Sequence, residues 1–463
     1  MAAQADRRER GAYYTPAAVG EWLATELGLD ATDSVLDPAC GAGDLLLAAL
    51  RAGVPWSRLA GLDIDPLAVA LAQARLALAA GLDRAQCERL RAQVRVADAL
   101  ATPWPAATRI LTNPPFLSRL RSLTATSPAL AARIRARHGE LLGPYADISA
   151  VFLADCLRHA AETGIVLPAS VFATRDAAGL RDRNAPPVAA WTLPTRTFPG
   201  VAVPLVAAVF RAGGEGTRRM AGQPPRPVDV VRATRWSAVL CVGDPIPPLP
   251  ASPGGTLGDI ATVEADFRDE YYALRGHVVE GGDGLRVITS GLVEPGWLAW
   301  GLHPAKIHGS RWYRPTVPRA ALHPRQARRL GPQVIVATQT RVLEAAADPG
   351  GLCVGLTPVL VVSPRSGVHL ATILATLLSP AATAWGLGEG RGTGLALDAI
   401  KLSASQLRDM PAWPVSPRAR ALAERLVDGD RDTDTLLALG AAMSAGDDAL
   451  LAWWKRRLGG VPR

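Results

Sequence analysis

The sequence predicts an α/β fold: an open, largely parallel sheet with helices packed on it, then a β-rich region and a helical end. Three observations carry that expectation. Short apolar runs alternate with helix-length segments from about residue 15 to residue 183, as in a chain that crosses over between parallel strands. Three successive apolar runs each end in an aspartate, Asp37, Asp63 and Asp98. The alternation then stops at two stretches rich in Gly and Pro, residues 213–227 and 244–255, which set the end of the first domain near residue 243.

The elements follow in order. Residues 17–26 read as a helix, with Thr15 where an N-cap belongs and Pro16 at the first helical position. Residues 34–40 read as a strand, 41–44 as a tight turn and 45–51 as a helix. Gly41 and Gly43 let backbone approach a ligand closely, and the helix start offers unpaired N–H groups. The lysine of a phosphate loop and the third glycine of the dinucleotide fingerprint are both missing. The strand at 59–62 ends at Asp63, about 20 residues past the turn, where a carboxylate accepts hydrogen bonds from both hydroxyls of a ribose. Residues 94–98 supply a third strand, and its terminal Asp98 suits an adenine amine. Each acid alone fits a helix cap or a turn; three at successive strand ends point to an adenosine-bearing cofactor.

The next apolar run, residues 109–112, ends in Asn113-Pro114-Pro115-Phe116. Two prolines can neither continue a ladder nor start a helix here, so they fix an extended loop at the strand's carboxyl end, the edge where ligands bind in open α/β sheets. The loop offers the Asn113 amide oxygen, the Pro114 carbonyl and the Phe116 ring. Two acceptors and an aromatic face suit a planar base with an exocyclic amine, adenine above all.

Composition sets the surroundings. The chain has 463 residues and a net charge of +8, and its only lysines are at 306, 401 and 455, so Arg supplies almost all the positive charge. Such a balance fits a polyanionic partner, although Arg and Ala enrichment also reflects a GC-rich genome. Cysteines at 40, 87, 156, 241 and 353 form no CxxC pair and no even framework, which argues against structural zinc and disulfides. The charged N-terminus has no apolar signal region and no apolar stretch approaches a membrane span, so a cytoplasmic protein is expected.

With Gly11-Ala12-Tyr13-Tyr14-Thr15-Pro16, then Asp37-Pro38-Ala39-Cys40-Gly41-Ala42-Gly43, then Asn113-Pro114-Pro115-Phe116, the chain resembles the gamma-class, S-adenosylmethionine-dependent DNA adenine-N6 methyltransferases, among them restriction-modification enzymes and type I modification subunits. The resemblance implies a class I, Rossmann-like methyltransferase domain over residues 1–243. It implies a mostly β-rich target-recognition domain over 256–415 and a helical tail over 416–463. By position it puts Tyr14 and Thr15 beside the methionine part of S-adenosylmethionine, and Asp37, Ala39, Gly41 and Gly43 along the pocket. It puts Asp63 on the ribose, Asp98 on the cofactor adenine, and catalysis on Asn113, Pro114, Pro115 and Phe116. Phe198, before Pro199, matches a second aromatic against the flipped base.

Farther along, residues 117–143 are Arg-rich and serve equally as a DNA contact or a solvated flap. A helix at 147–161, a strand at 163–172, a helix at 173–183 and an antiparallel pair at 191–198 and 204–211 complete the first domain. The second carries Arg and aromatic clusters, including Arg311, Trp312 and Arg314, with Arg341 on a candidate DNA-facing edge, suited to phosphate and base contacts. The implied partner is double-stranded DNA. No metal is required. A nuclease of the PD-(D/E)xK type needs an acid two residues before a lysine, and Pro304, Ala399 and Trp453 stand there, so a restriction endonuclease or other defence subunit would be a separate chain. Two other readings stay open: a methyltransferase acting on RNA or on a protein glutamine, and a non-catalytic DNA-binding subunit of a defence complex.

Overall fold

The computed structural model describes residues 15–459 except 117–127, 145, 195–196, 199–200, 202, 215, 232–235, 241–244, 252–253, 266–267, 393, 395–397 and 445. The chain divides into two compact units, Met1–Asp244 and Pro245–Arg463.

In the first unit, nine strands among the described residues form one sheet: β1 (Val35–Asp37), β2 (Leu59–Asp63), β3 (Val94–Val96), β4 (Arg109–Thr112), β5 (Glu162–Pro168), β6 (Ala189–Thr192), β7 (Leu205–Arg211), β8 (Thr217–Ala221) and β9 (Arg226–Val231). Their order is β3-β2-β1-β4-β5-β7-β6-β8-β9. Strands β3, β2, β1, β4 and β5 are parallel, and β7 runs antiparallel between β5 and β6. Chain order reverses between β1 and β4, which opens a crevice at the carboxyl ends of those two strands. Strand β1 is buried throughout, as a strand covered on both faces must be.

Three helices frame the crevice: α1 (Ala17–Leu27), α2 (Asp44–Arg51) and α3 (Pro66–Ala80). Helix α3 starts where Asp65 accepts from the N–H groups of Leu67 and Ala68 with Pro66 at N1, a strong stop to β2. Helix α1 begins at Ala17, as the sequence suggests, but its cap differs. Pro16 occupies the N-cap position, no side chain caps the helix, and the Thr15 hydroxyl is engaged elsewhere.

The Gly- and Pro-rich stretch 213–227 lies within the first unit. Its glycines lie at the turns around β8 and β9, and this hairpin extends the sheet beyond β6. The second unit is less purely β than expected. A four-stranded antiparallel sheet, in the order Ala261–Ala265, Leu360–Pro364, Gln333–Val336, Ala345–Asp348, shares a core with Leu370–Leu377, Pro380–Gly390 and three helices past residue 416. Val263, Leu374, Leu439, Trp453 and Trp454 are buried in that one cluster, so the terminal helices are part of the unit's core. A second sheet of short strands packs around Val287, Val317 and Ile335. Among the described residues no single helix is long and apolar enough to cross a membrane, and the apolar pair Leu370–Leu377 and Pro380–Gly390 lies in the core.

Candidate active site

The site collects at the carboxyl ends of β1, β2 and β4. Asp37 closes β1, is 1% exposed, and accepts from the Ala39 N–H at 3.0 Å and from Thr112 Oγ1 at 2.7 Å. Burial pushes its carboxyl up to about 7, against the pull of those two hydrogen bonds. The turn that follows is tied to the sheet by the Cys40 N–H, which donates to the Leu62 carbonyl at 2.9 Å.

Both turn glycines are left-handed, for different reasons. Gly43, at φ +82°, lies against α3, where a Cβ would come within 3.0 Å of the Ala72 Cβ. Gly41, at φ +48°, faces open space, with no atom within 4 Å of where a Cβ would be. Ala39 beside it is half-buried.

Asp63 closes β2. Its Oδ2 accepts from the Gly41 N–H at 2.8 Å and its Oδ1 from the Asp65 N–H at 2.9 Å, so it fixes the turn and the α3 entry together. Asp98, just past β3, is exposed; it accepts from the Leu100 N–H at 2.9 Å and faces Arg133 at 3.6 Å.

Asn113 follows β4 directly. Its Nδ2 donates to Thr15 Oγ1 at 2.9 Å, while its Oδ1 is buried and accepts no hydrogen bond. The Thr15 N–H donates to Asp44 Oδ2 at 3.2 Å. Arg75 pairs with Asp44 Oδ1 at 2.8 Å and donates to the Ala42 carbonyl. Sequence reading missed this chain of contacts, because Thr15 and Asn113 are 98 positions apart and no local pattern links them. Pro114 is buried, Pro115 half-buried, and the half-buried Phe116 ring packs on the core cluster that also holds Phe198, 3% exposed.

The remaining expected residues separate into groups. Tyr14, Pro199 and residues 117–127 lie outside the described residues. Of the Arg-rich segment past 127, Arg133 faces Asp98, and Arg137 reaches the buried Asp155 at 3.0 Å, as does Arg158 of a later helix at 3.1 Å. In the second unit Arg311 and Arg314 are exposed and Trp312 is half-buried, while Arg341 is 3.2 Å from Asp398.

Comparison with known proteins agrees with this geometry. Residues 1–181 match the family model described as N-6 DNA Methylase. No curated protein matches the chain. The solved structure of the type IIL restriction-modification enzyme MmeI in complex with DNA is similar at a TM-score of 0.54 with 12% identity, covering 95% of this chain and 75% of that one. Similarity at that identity shows the fold. The type I methyltransferase subunit from Streptococcus thermophilus (19% identity, TM-score 0.35, 45% of this chain) and the EcoKI M protein (17%, 0.36, 46%) also match. The chain spans about half the length of those two, 47% and 48%. Residues 1–181, most of the first unit, thus match an N-6 DNA methylase domain, and the sheet order, the glycine turn and the Asn-Pro-Pro-Phe loop lie within that matched stretch or its sheet.

Proposed function

We propose that the chain transfers a methyl group from S-adenosylmethionine to the N6 amine of an adenine flipped out of double-stranded DNA. The transfer is site-specific, with recognition by the second unit, in a restriction-modification or phage-defence setting. The observation that carries this reading is the Asn113 amide, whose nitrogen is engaged by Thr15 while its buried oxygen accepts nothing. An unsatisfied buried acceptor costs about 1–3 kcal/mol, and an exocyclic amine is the donor that fills it. Since the oxygen is covered in the free protein, a base reaches it only as its cover moves aside.

The residues fit the cofactor. The open space at Gly41 admits a ligand against the turn, and each Asp63 oxygen holds one backbone N–H, leaving lone pairs for two ribose hydroxyls. Asp98 accepts from the cofactor's adenine amine, and Thr15, Asp37, Ala39 and Gly43 complete the pocket. The cofactor supplies an electrophilic methyl on a sulfonium.

The protein's part is orientation. Asn113 Oδ1 and the Pro114 carbonyl would accept the two amine hydrogens and aim the nitrogen lone pair at the methyl group. N–CH3 would form as S–CH3 breaks, leaving a neutral thioether, and the methylated amine would release its extra proton to solvent. The rigid Pro114-Pro115 step holds both acceptors in place, and Phe116 replaces stacking that the base loses on leaving the duplex. Phe198 supports that ring from the core. Arg311, Trp312 and Arg314 meet DNA, and Arg341 exchanges Asp398 for a phosphate on binding. Purified chain with methyl-labelled S-adenosylmethionine and plasmid DNA should place the label on adenine N6. Label on RNA or on a protein glutamine instead, with none on DNA, would overturn the reading.

A further inference from the structure

We infer that Thr15 is a positioning residue for Asn113, holding its amide in the place from which Oδ1 faces the target base. The inference rests on the methyl-transfer reading above. An Asn side chain presents a donor and an acceptor of nearly the same shape, and only the acceptor end can take a hydrogen from an amine. In this structure the donor end is occupied: Asn113 Nδ2 donates to Thr15 Oγ1 at 2.9 Å, which leaves Oδ1 as the end without a partner.

Thr15 is itself held from behind. Its N–H donates to Asp44 Oδ2 at 3.2 Å, Asp44 Oδ1 pairs with Arg75 at 2.8 Å, and Arg75 Nη1 donates to the Ala42 carbonyl at 2.6 Å. Asp44 opens α2 directly after the glycine turn, and Ala42 lies within that turn. The catalytic loop after β4 is thereby registered against the backbone that lines the cofactor pocket. Thr15 is 8% exposed, so water does not readily replace it as the acceptor. Freed from Thr15, the amide samples both orientations, and one of them points NH2 at the substrate amine, donor against donor. Misorientation of one group in a transfer step commonly costs about 100-fold.

The test compares wild type, Thr15→Val and Thr15→Ser in the full-length chain. Single-turnover methyl transfer to plasmid DNA at saturating S-adenosylmethionine should fall by about 10- to 100-fold in Thr15→Val, a loss that added cofactor does not recover. Thr15→Ser, which keeps the hydroxyl, should restore the rate to within about threefold. A Thr15→Val rate equal to wild type once S-adenosylmethionine is saturating overturns the inference, since the loss then lies in cofactor binding alone. If wild type transfers no methyl to DNA, the functional reading fails separately, and crystal structures of wild type and Thr15→Val decide the matter. Read by neutron diffraction, which tells NH2 from oxygen, an Asn113 amide whose two ends exchange or mix in the variant supports the inference, and one whose Oδ1 keeps its place overturns it.

Discussion

Thr112 Oγ1 donates to Asp37 Oδ1 at 2.7 Å, joining the last residue of β4 to the last residue of β1 where the chain order of the sheet reverses. The bond lies inside the core, since Thr112 is fully buried and Asp37 nearly so, and it anchors the residue just before Asn113.

Asp37 makes stability depend on pH. Its carboxyl is raised to about 7 by burial from an ordinary value of 3.8, so the folded chain holds a proton that the unfolded chain releases. The stabilisation from that proton is complete below about pH 4 and is lost as pH rises to about 7, on the order of a few kcal/mol. Glu344 in the second unit, raised to about 8 by burial, acts in the same direction over a window reaching one pH unit higher. Chemical denaturation of the first unit between pH 4 and 8 should show a shallower decline in Asp37→Asn than in wild type. An unchanged slope would mean that Asp37 is ionised throughout.

The two turn glycines should separate binding from folding. Gly41→Ala has room for its methyl, so it costs only the left-handed backbone, about 1 kcal/mol, but it fills the space a ligand needs and should weaken S-adenosylmethionine binding by about tenfold or more. Gly43→Ala adds a clash with Ala72 to the same backbone cost and should destabilise by about 2–3 kcal/mol. Calorimetric titration and thermal unfolding of both variants check this; the reverse ranking would misplace the pocket.

Asp63→Ala should lose on both counts, because the carboxylate holds the Gly41 and Asp65 N–H groups as well as being placed for a ribose. Cofactor affinity should fall by about 10- to 100-fold, and the melting temperature should drop with it. Affinity loss at an unchanged melting temperature would show that the two backbone bonds contribute nothing to stability.

A fragment ending at Asp244 contains a complete sheet and its own core, and should fold and bind the cofactor. We expect it to lose sequence selectivity, measured as methylation of target against non-target duplexes. Retained selectivity would place recognition in the first unit.

Much of this site was legible in the sequence because its parts are contiguous. A strand followed by Gly41-Ala42-Gly43, an acid closing β2 and an Asn-Pro-Pro-Phe loop each announce their geometry within a few residues. The Thr15 to Asn113 contact was not legible, because it depends on how α1 meets the end of β4. The β8–β9 hairpin was not legible, because glycines mark tight hairpin turns and domain boundaries alike. The helix at Pro380–Gly390 left little trace, since a helix buried on most sides shows little amphipathic period and Gly386, Gly388 and Gly390 weaken its propensity. Arg341, expected at a DNA-facing edge, lies against Asp398, a partner 57 positions away that charge patterning alone does not reveal.

The most direct measurement is modification-sensitive sequencing of plasmid DNA from cells expressing the chain alone, beside cells expressing Asn113→Ala. The account predicts N6-methylated adenines at one short motif with the wild-type chain and none with the variant, whose purified form should bind S-adenosylmethionine within about threefold of wild type. Equal methylation by both chains, or loss of cofactor binding along with activity in the variant, would contradict the role given to Asn113.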